Sequence, residues 1–199
     1  MGRSKRCPCG IDQSISVGGR VRKIKAGGII QNTGLAKIGV MSVPDRPGIA
    51  SAVLTDLGER DINVQFIVQC IDLKDRTHII LCVAQDDVER ALSVIEGIKP
   101  TVQAEEVICQ PDVALVSVFG PDFRDQPGIA GAAFSALASV EINILAISTS
   151  ISTLSCVLDG DRAVEAVEAL REAFHVPASA VFAASRGLSP RWRAGEGGV

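Results

Sequence analysis

The stretch Val43-Pro44-Asp45-Arg46-Pro47-Gly48-Ile49-Ala50 decides the fold. An apolar run precedes it and a helical pattern follows it, so it predicts a strand-to-helix turn. We expect Asp45 to cap the helix and Pro47 to lie in the first turn, where a missing N–H costs nothing. The backbone N–H groups of Gly48, Ile49 and Ala50 then lie at the positive end of the helix dipole. They form a site suited to a small carboxylate.

Part of this stretch recurs eighty residues further along the chain. Gln126-Pro127-Gly128-Ile129-Ala130 repeats residues 46–50 with one difference, and the same offset relates Ile62-Asn63-Val64 to Ile142-Asn143-Ile144. A core alone would preserve the apolar positions, but it would not preserve Pro-Gly and Asn at fixed spacing. The offset therefore indicates an internal duplication. Two copies are too few for a solenoid, so we expect two similar domains.

Composition and charge fit a globular protein with a basic tail. The chain has 199 residues, is 47% hydrophobic and carries a net charge of −3. No apolar run reaches the roughly 18 residues of a membrane helix. Residues 1–25 hold seven Lys and Arg against the lone Asp12. We expect residues 1–26 to be a flexible tail and the protein to be cytoplasmic, with an organellar transit peptide as the alternative.

The cysteines predict a reducing compartment and no metal site. Cys70, Cys82, Cys109 and Cys156 fall in apolar runs, so we expect buried thiols. Cys7-Pro8-Cys9 is too closely spaced for a zinc knuckle and has no second pair. We expect no metal and no cofactor.

Hydrophobic periodicity predicts the order βαββαβ in the first copy. The predicted strands are 36–43, 62–71, 77–83 and 104–110, and the predicted helices are 48–60 and 86–97, with Lys99-Pro100 ending the second helix.

The second copy lacks a clear fourth strand. Its predicted strands are 113–119, 142–149 and 153–158, and its predicted helices are 128–139 and 163–175, with 180–182 as a weak strand candidate. An open sheet edge is a liability. Residues 27–31 form an orphan strand, followed by a predicted turn at Asn32-Thr33-Gly34, and could fill that edge. The first domain would then be inserted in the second.

These motifs resemble those of the ACT domain, a small-molecule sensing module with a ferredoxin-like α+β fold. Residues 27–176 are similar in particular to the regulatory region of aspartate kinase, in which one ACT domain is inserted in the other. The matching segments are Gly28-Ile29, Ala36-Lys37, Val43–Ala50, Ile67-Val68-Gln69, Ile147-Ser148-Thr149-Ser150 and Glu168–Phe174. The resemblance implies a first ACT domain at 34–112, a second at 27–33 plus 113–182, and a flexible tail at 183–199.

The resemblance also implies a function in lysine, threonine and methionine biosynthesis. That family binds lysine or threonine between paired ACT domains, commonly across a dimer. We therefore expect an allosteric amino-acid-binding protein that forms a homodimer and has a separate kinase catalytic subunit. The catalytic kinase domain is absent, so we expect no enzyme activity. Nucleic acid and membrane are not expected partners.

The candidate site residues follow from the chemistry of a free amino acid. Its carboxylate can bind the helix-end N–H groups, its ammonium can meet Asp45, and Gln69 can hydrogen-bond a hydroxyl or amide. Lysine is less favoured than threonine because Ile151 and Thr153 stand where the family has Glu and a basic residue. The first site joins Asp45, Gly48, Ile49, Ala50 and Gln69 to Asn143 and Ile144. The second joins Gln126, Gly128, Ile129 and Ala130 to Asn63, Val64, Thr149 and Ser150.

Other interpretations stay open at this point. Each Asn could merely form its own turn, and the chain could be a free-standing ACT protein that senses another amino acid or serves as a dimerisation module. An acylphosphatase-like hydrolase would use Arg46 and Asn63. An RNA-binding sheet would need aromatic side chains to stack bases, and the strands offer only Phe66 and Phe119.

Overall fold

A computed structural model describes residues 24–121, 123, 127–177 and 180–183, which contain nine strands, four α-helices and the short 3₁₀ helices Gln85–Asp87 and Gly160–Arg162. The strands are β1 Ile24–Lys25, β2 Gly28–Pro44, β3 Phe66–Ile71, β4 Arg76–Ala84, β5 Glu106–Phe119, β6 Ala146–Thr149, β7 Thr153–Asp159, β8 Phe174–His175 and β9 Val181–Ala183. The helices are α1 Ile49–Gly58, α2 Val88–Val102, α3 Ile129–Ser139 and α4 Ala163–Ala173. The two predicted tails lie outside the described residues, apart from 24–26 and Ala183.

Two long strands, β2 and β5, organise a seven-stranded sheet. The order is β3-β4-β2-β5-β7-β6, with β9 paired to β2, while β1 and β8 form a separate two-stranded ribbon. The first half of β2 pairs with the second half of β5, and the second half of β2 pairs with both β4 and the first half of β5. Each long strand therefore contributes to both repeated units.

The predicted pairing of the orphan strand is confirmed. Gly28 to Gln31 lie opposite Phe119 to Val116, beside the strand that opens the second copy. This segment takes the position of the missing fourth strand. The weak strand candidate near 180–182 is also a strand, since β9 pairs in parallel with β2 from Ile29 opposite Val181. It covers part of the outer edge.

The turn predicted at Asn32-Thr33-Gly34 is wrong. The strand continues through these residues, and the irregularity consists of two register shifts on either side of Leu35, with Gly34 at φ 71°. Residues 104–110 and 113–119 likewise belong largely to one strand, β5, which passes Asp112 at φ 52°. Pairing with neighbouring strands on both sides of each irregularity outweighs the local turn signals.

Several helix and strand boundaries also differ from the predictions. Helix α2 runs through Pro100 to Val102 and ends where Gln103 adopts the left-handed conformation, so Lys99-Pro100 does not stop it. Helix α4 ends at Ala173, because Phe174 and His175 pair with β1. The predicted strands 62–71 and 142–149 begin only at Phe66 and Ala146.

The core consists of one cluster for each helix pair and a third cluster on the opposite face of the sheet. The first unit packs β2 and β4 against Val53, Leu57 and Ile95, and the second packs β5 and β7 against Leu137 and Leu170. Burying each such side chain contributes roughly 1.5–3 kcal/mol. The third cluster joins the two units and comprises Leu35, Phe66, Cys82, Val113 and Val157.

The prediction of four buried cysteines is only half right. Cys82 and Cys156 are buried, and burial raises the pKa of their thiols to about 12 and about 11. Cys70, on β3, and Cys109, on the first half of β5, are exposed. Apolar neighbours in the sequence did not reveal this difference.

The close approach at Gly28 provides a test of this topology. A Cβ atom there would lie 2.6 Å from the Ala180 carbonyl oxygen and 2.7 Å from the Phe119 ring. We expect Gly28→Ala to lower the free energy of unfolding by about 1–3 kcal/mol, because the surroundings must move. The measurement is equilibrium unfolding in denaturant.

Gly97→Ala is the matched control. Gly97 lies inside α2, where a Cβ atom would meet no described atom within 4 Å. Alanine should raise the free energy of unfolding there by about 0.5–1 kcal/mol. Equal effects of the two substitutions would contradict the packing of residues 28 and 180.

Candidate functional site

The loop between β2 and α1 presents the start of a helix to solvent. Gly48 is exposed and is the N-cap, with φ 95° in the left-handed region, which explains why glycine stands there. Among the described residues no side chain caps this helix. The expectation that Asp45 is the cap is therefore wrong, and Pro47 lies before the cap rather than in the first turn. The N–H groups of the first turn can bind an anion.

The Asp45 carboxylate is held in place beside this helix. The buried Thr77 hydroxyl donates to Asp45 Oδ1 at 3.0 Å, and the Asp45 N–H donates to the Asp75 carbonyl at 3.2 Å. The second carboxylate oxygen can accept a hydrogen bond from a ligand ammonium. Thr77 was missed in the sequence analysis. The signal was a hydroxyl inside the apolar run that pairs with Val43.

Gln69 lies near the same end of the first unit. It is exposed on the edge strand β3 and pairs with Ile79, a core residue under the helices. Directly paired residues of antiparallel strands project to the same face. The Gln69 side chain is therefore on the helix side of the sheet, as a role beside α1 requires.

The repeated loop of the second copy has the same backbone geometry. Gly128 is the N-cap of α3 with φ 90°, followed by Ile129 and Ala130. Gln126 lies outside the described residues. Ser150 closes the turn between β6 and β7, because its N–H donates to the Thr153 carbonyl at 2.8 Å and its hydroxyl accepts from the Thr153 N–H at 3.1 Å. Thr149 ends β6 and is exposed.

The asparagine segments lie at the other end of the edge strands. Asn63 and Val64 precede β3, and Asn143 and Ile144 precede β6. Phe66, the first residue of β3, packs in one cluster with Leu145 and Ala146. Asp45 is near Ile71, the last residue of β3. At 3.3–3.4 Å per residue, Ile71 is about 17 Å from Phe66. The chain therefore brings the starts of β3 and β6 together, but separates Asp45 from Asn143.

A shallow cavity of about 300 Å³ lies where those strand starts meet. Its lining includes Gln65, Leu115, Ser148 and Ser155. Ser155 shares a 2.8 Å hydrogen bond with Ser117 on the neighbouring strand. None of these four lining residues is charged, so the cavity suits a zwitterion poorly, in contrast to the loop that carries Asp45.

Two absences concern only the part of the chain that the structure describes. No three His, Cys, Asp or Glu side chains there are arranged to hold a metal ion. No helix in that part is long and apolar enough to cross a membrane.

Comparison with known proteins decides the family. Models of the ACT domain match residues 38–99 and 116–174. The regulatory subunit of aspartate kinase from Thermus thermophilus, in its ligand-free form, is 32% identical with a TM-score of 0.68, and the match covers 75% of this chain and 98% of that one. The chain belongs to the tandem ACT-domain family of aspartate kinase regulatory regions. The predicted family and the α+β fold of two ACT domains are confirmed.

Other relatives of the tandem ACT protein agree. An aspartate kinase of Pseudomonas putida is 37% identical over 153 residues, which is 77% of this chain and 37% of that protein. The chain thus spans little more than a third of the length of this curated relative. A structure of aspartokinase alpha and beta subunits is 29% identical with a TM-score of 0.69, covering 75% of this chain and 99% of that one.

The backbone at Gly48 gives the ACT protein a testable feature. Gly48→Ala should lower the free energy of unfolding by about 1–2 kcal/mol, because a residue with a Cβ is strained at positive φ. Denaturant titration measures the change.

Gly58→Ala, at the other end of α1, serves as the control. A Cβ atom meets no described atom within 4 Å at either position, so the pair isolates the backbone effect. If both substitutions have the same effect, the left-handed N-cap is not what requires glycine at 48.

Proposed function

We propose that this chain is the amino-acid-binding regulatory protein of an aspartate kinase and has no chemistry of its own. The observation that carries the proposal is the β2–α1 loop, where the Asp45 carboxylate is held by Thr77 next to an uncapped helix start. The N–H groups of the helix start can bind a carboxylate, and the Asp45 carboxylate beside them can bind an ammonium. Together they match the two charges of a free amino acid.

We infer that threonine is the preferred effector. Its carboxylate binds the N–H groups of Gly48, Ile49 and Ala50, its ammonium meets Asp45, and Gln69 gives the hydroxyl a neutral partner. Lysine would bring a second ammonium that needs an acid. Ile151 stands where the family has Glu, and leaving that ammonium buried and unpaired costs several kcal/mol.

A second copy of the chain completes the site in this proposal. Asp45 and Asn143 belong to opposite ends of the edge strands, so β3 of one copy beside β6 of another, running antiparallel, would bring them together. The exposed apolar side chains of these edges support the pairing. Ile67 and Ile147 are 37% and 39% exposed at the same repeat position, and Ile71 and Ile151 repeat the match. The second candidate site, with Asn63 and Val64, would form by the same operation.

A separate catalytic subunit is the proposed partner. The Thermus thermophilus relative is a regulatory subunit, and 98% of that relative is covered by the match to this chain. In this proposal the first ACT domain is 34–112, and the second is 27–33 plus 113–182. A cytoplasmic location remains a prediction.

The exposed edges also favour a second candidate function. A chain that pairs through Ile67 and Ile147 could serve as a dimerisation module. It could also sense another amino acid, since Ile151 replaces the glutamate that the family has at this position. If the chain were only a dimerisation module, substitution of Asp45 or Gln69 would leave its function unchanged.

The effector assignment predicts a ligand-specific thermal shift. Millimolar threonine should raise the melting temperature of the pure chain more than lysine does, because a ligand that binds only the folded state stabilises it by mass action. Calorimetric titration with threonine, lysine, methionine and aromatic amino acids gives the affinities. A shift with lysine and none with threonine would show that the assignment is wrong.

Gln69→Ala tests the hydroxyl contact. It should weaken threonine binding by about 1–2 kcal/mol, the cost of leaving a buried polar group unpaired. Cys70→Ala, on the same strand but the other face, should leave the affinity unchanged. A threonine affinity that is insensitive to Gln69 would remove this residue from the site.

A further inference from the structure

Strand β2 contains a bulge immediately before the effector loop, residues 43–48. Val40 lies opposite Ile79 on β4, but Val43 lies opposite Thr77, so three residues on one strand match two on the other. The bulge contains Ser42, whose φ of 54° is in the left-handed region. A serine adopts that conformation only when its surroundings hold it there.

The bulge determines which way the loop faces. Side chains alternate between the two faces of a strand, so Ile38 and Val40 share a face that Val43 would not reach in a regular strand. In this chain all three are fully buried in the same cluster under α1 and α2. A shift of one residue would turn Val43 out of the core and move the Asp45 carboxylate away from Thr77.

Two side chains of β4 bind both backbone groups of Ser42. The Ser42 N–H donates to His78 Nδ1 at 3.2 Å, and Arg76 Nη2 donates to the Ser42 carbonyl. A bulged residue is left out of the regular ladder, and a partly buried backbone group needs another partner. His78 and Arg76 supply one partner each.

Both side chains are held in turn by carboxylates. Because Nδ1 accepts from Ser42, the proton of the neutral ring is on Nε2, which lies 3.4 Å from Asp72 Oδ2. Arg76 Nη2 contacts Glu105 Oε1 at 2.8 Å. The N–H groups of Arg76 and Lys74 donate to Asp72 and hold the pKa of its carboxyl below its ordinary value, and His78 acts in the same direction.

We propose that His78 and Arg76 are positioning residues for the effector loop. They hold the Ser42 bulge, and the bulge fixes the direction in which Asp45 and Gly48 point. The role of that loop in ligand binding rests on the proposed function. The geometry of the bulge does not, so the two can be tested separately.

The second copy positions its loop without this arrangement. Over the described part of β5, pairing with β7 stays in register to Phe119 opposite Thr153, and the next contact is Gly120 N–H to the Ser152 carbonyl at 2.9 Å. Ile67 pairs with Leu81 and its repeat Ile147 pairs with Cys156, so the residue of β7 that corresponds to His78 is Thr153. The bulge therefore distinguishes the first effector loop from its repeat.

His78→Asn and His78→Leu form the test pair, made in the full chain. Asparagine carries an oxygen at the place of Nδ1 and can accept from Ser42, whereas leucine has a similar volume and cannot. The first readout is hydrogen–deuterium exchange of peptides covering residues 42–50 in the ligand-free protein. We expect about tenfold faster exchange there in His78→Leu, with little change in His78→Asn, because opening of the bulge exposes the amides.

The second readout is threonine affinity by calorimetric titration. It should fall at least about fivefold in His78→Leu and stay within about twofold in His78→Asn, since a loop that must be ordered on binding binds more weakly. Peptides from α4 and β7 serve as internal controls for the fold.

The outcomes separate the alternatives. Unchanged exchange at 42–50 in a folded His78→Leu, or equally fast exchange in both variants, overturns the positioning role. If His78→Leu does not fold, Arg76→Met removes the other partner of Ser42 and the same exchange comparison decides. If exchange follows the expected pattern but the wild type binds no amino acid, the positioning role stands and the proposed function fails.

Discussion

The constraint on which this structure depends is that β2 and β5 each serve both repeated units. Within the described residues the second unit has no fourth strand of its own, and Gly28 to Gln31 occupy that position through the first half of β2. The second half of β2 then opens the first unit, and β5 closes the first unit before it opens the second. The hydrogen bonds of either unit therefore run along strands that belong to both, so the two ACT domains share one sheet.

At the end of β2 the shared strand leads into the proposed effector loop. Thr77 fixes Asp45, and the side chains of His78 and Arg76 bind the backbone of the bulged Ser42. These three contacts come from β4, and the Asp45 N–H donates to the Asp75 carbonyl just before that strand. A loop that is ordered before binding loses less conformational entropy when a ligand arrives, which leaves more of the interaction energy for affinity.

The position of the two halves of the proposed site has a regulatory consequence. The helix start and the asparagine segment lie at opposite ends of β3, so a site built from both requires a second copy. An effector that binds only the assembled pair would stabilise that assembly, and assembly would raise the affinity for the effector by the same factor. In the proposed function, that reciprocity connects amino-acid concentration to the state of a catalytic partner.

Local periodicity and a constant offset were enough to predict the duplication, the α+β class, the glycine at the start of two helices and the lack of a clear fourth strand in the second copy. Three features emerge only in the folded chain: β2 continues through Asn32-Thr33-Gly34, Cys70 and Cys109 are exposed, and Thr77, rather than a capping bond, fixes Asp45. These features depend on hydrogen bonds and packing between residues far apart in the chain. No single segment carries a signal for them, because the partner strand decides whether a turn forms, which face is covered and where a bulge is held.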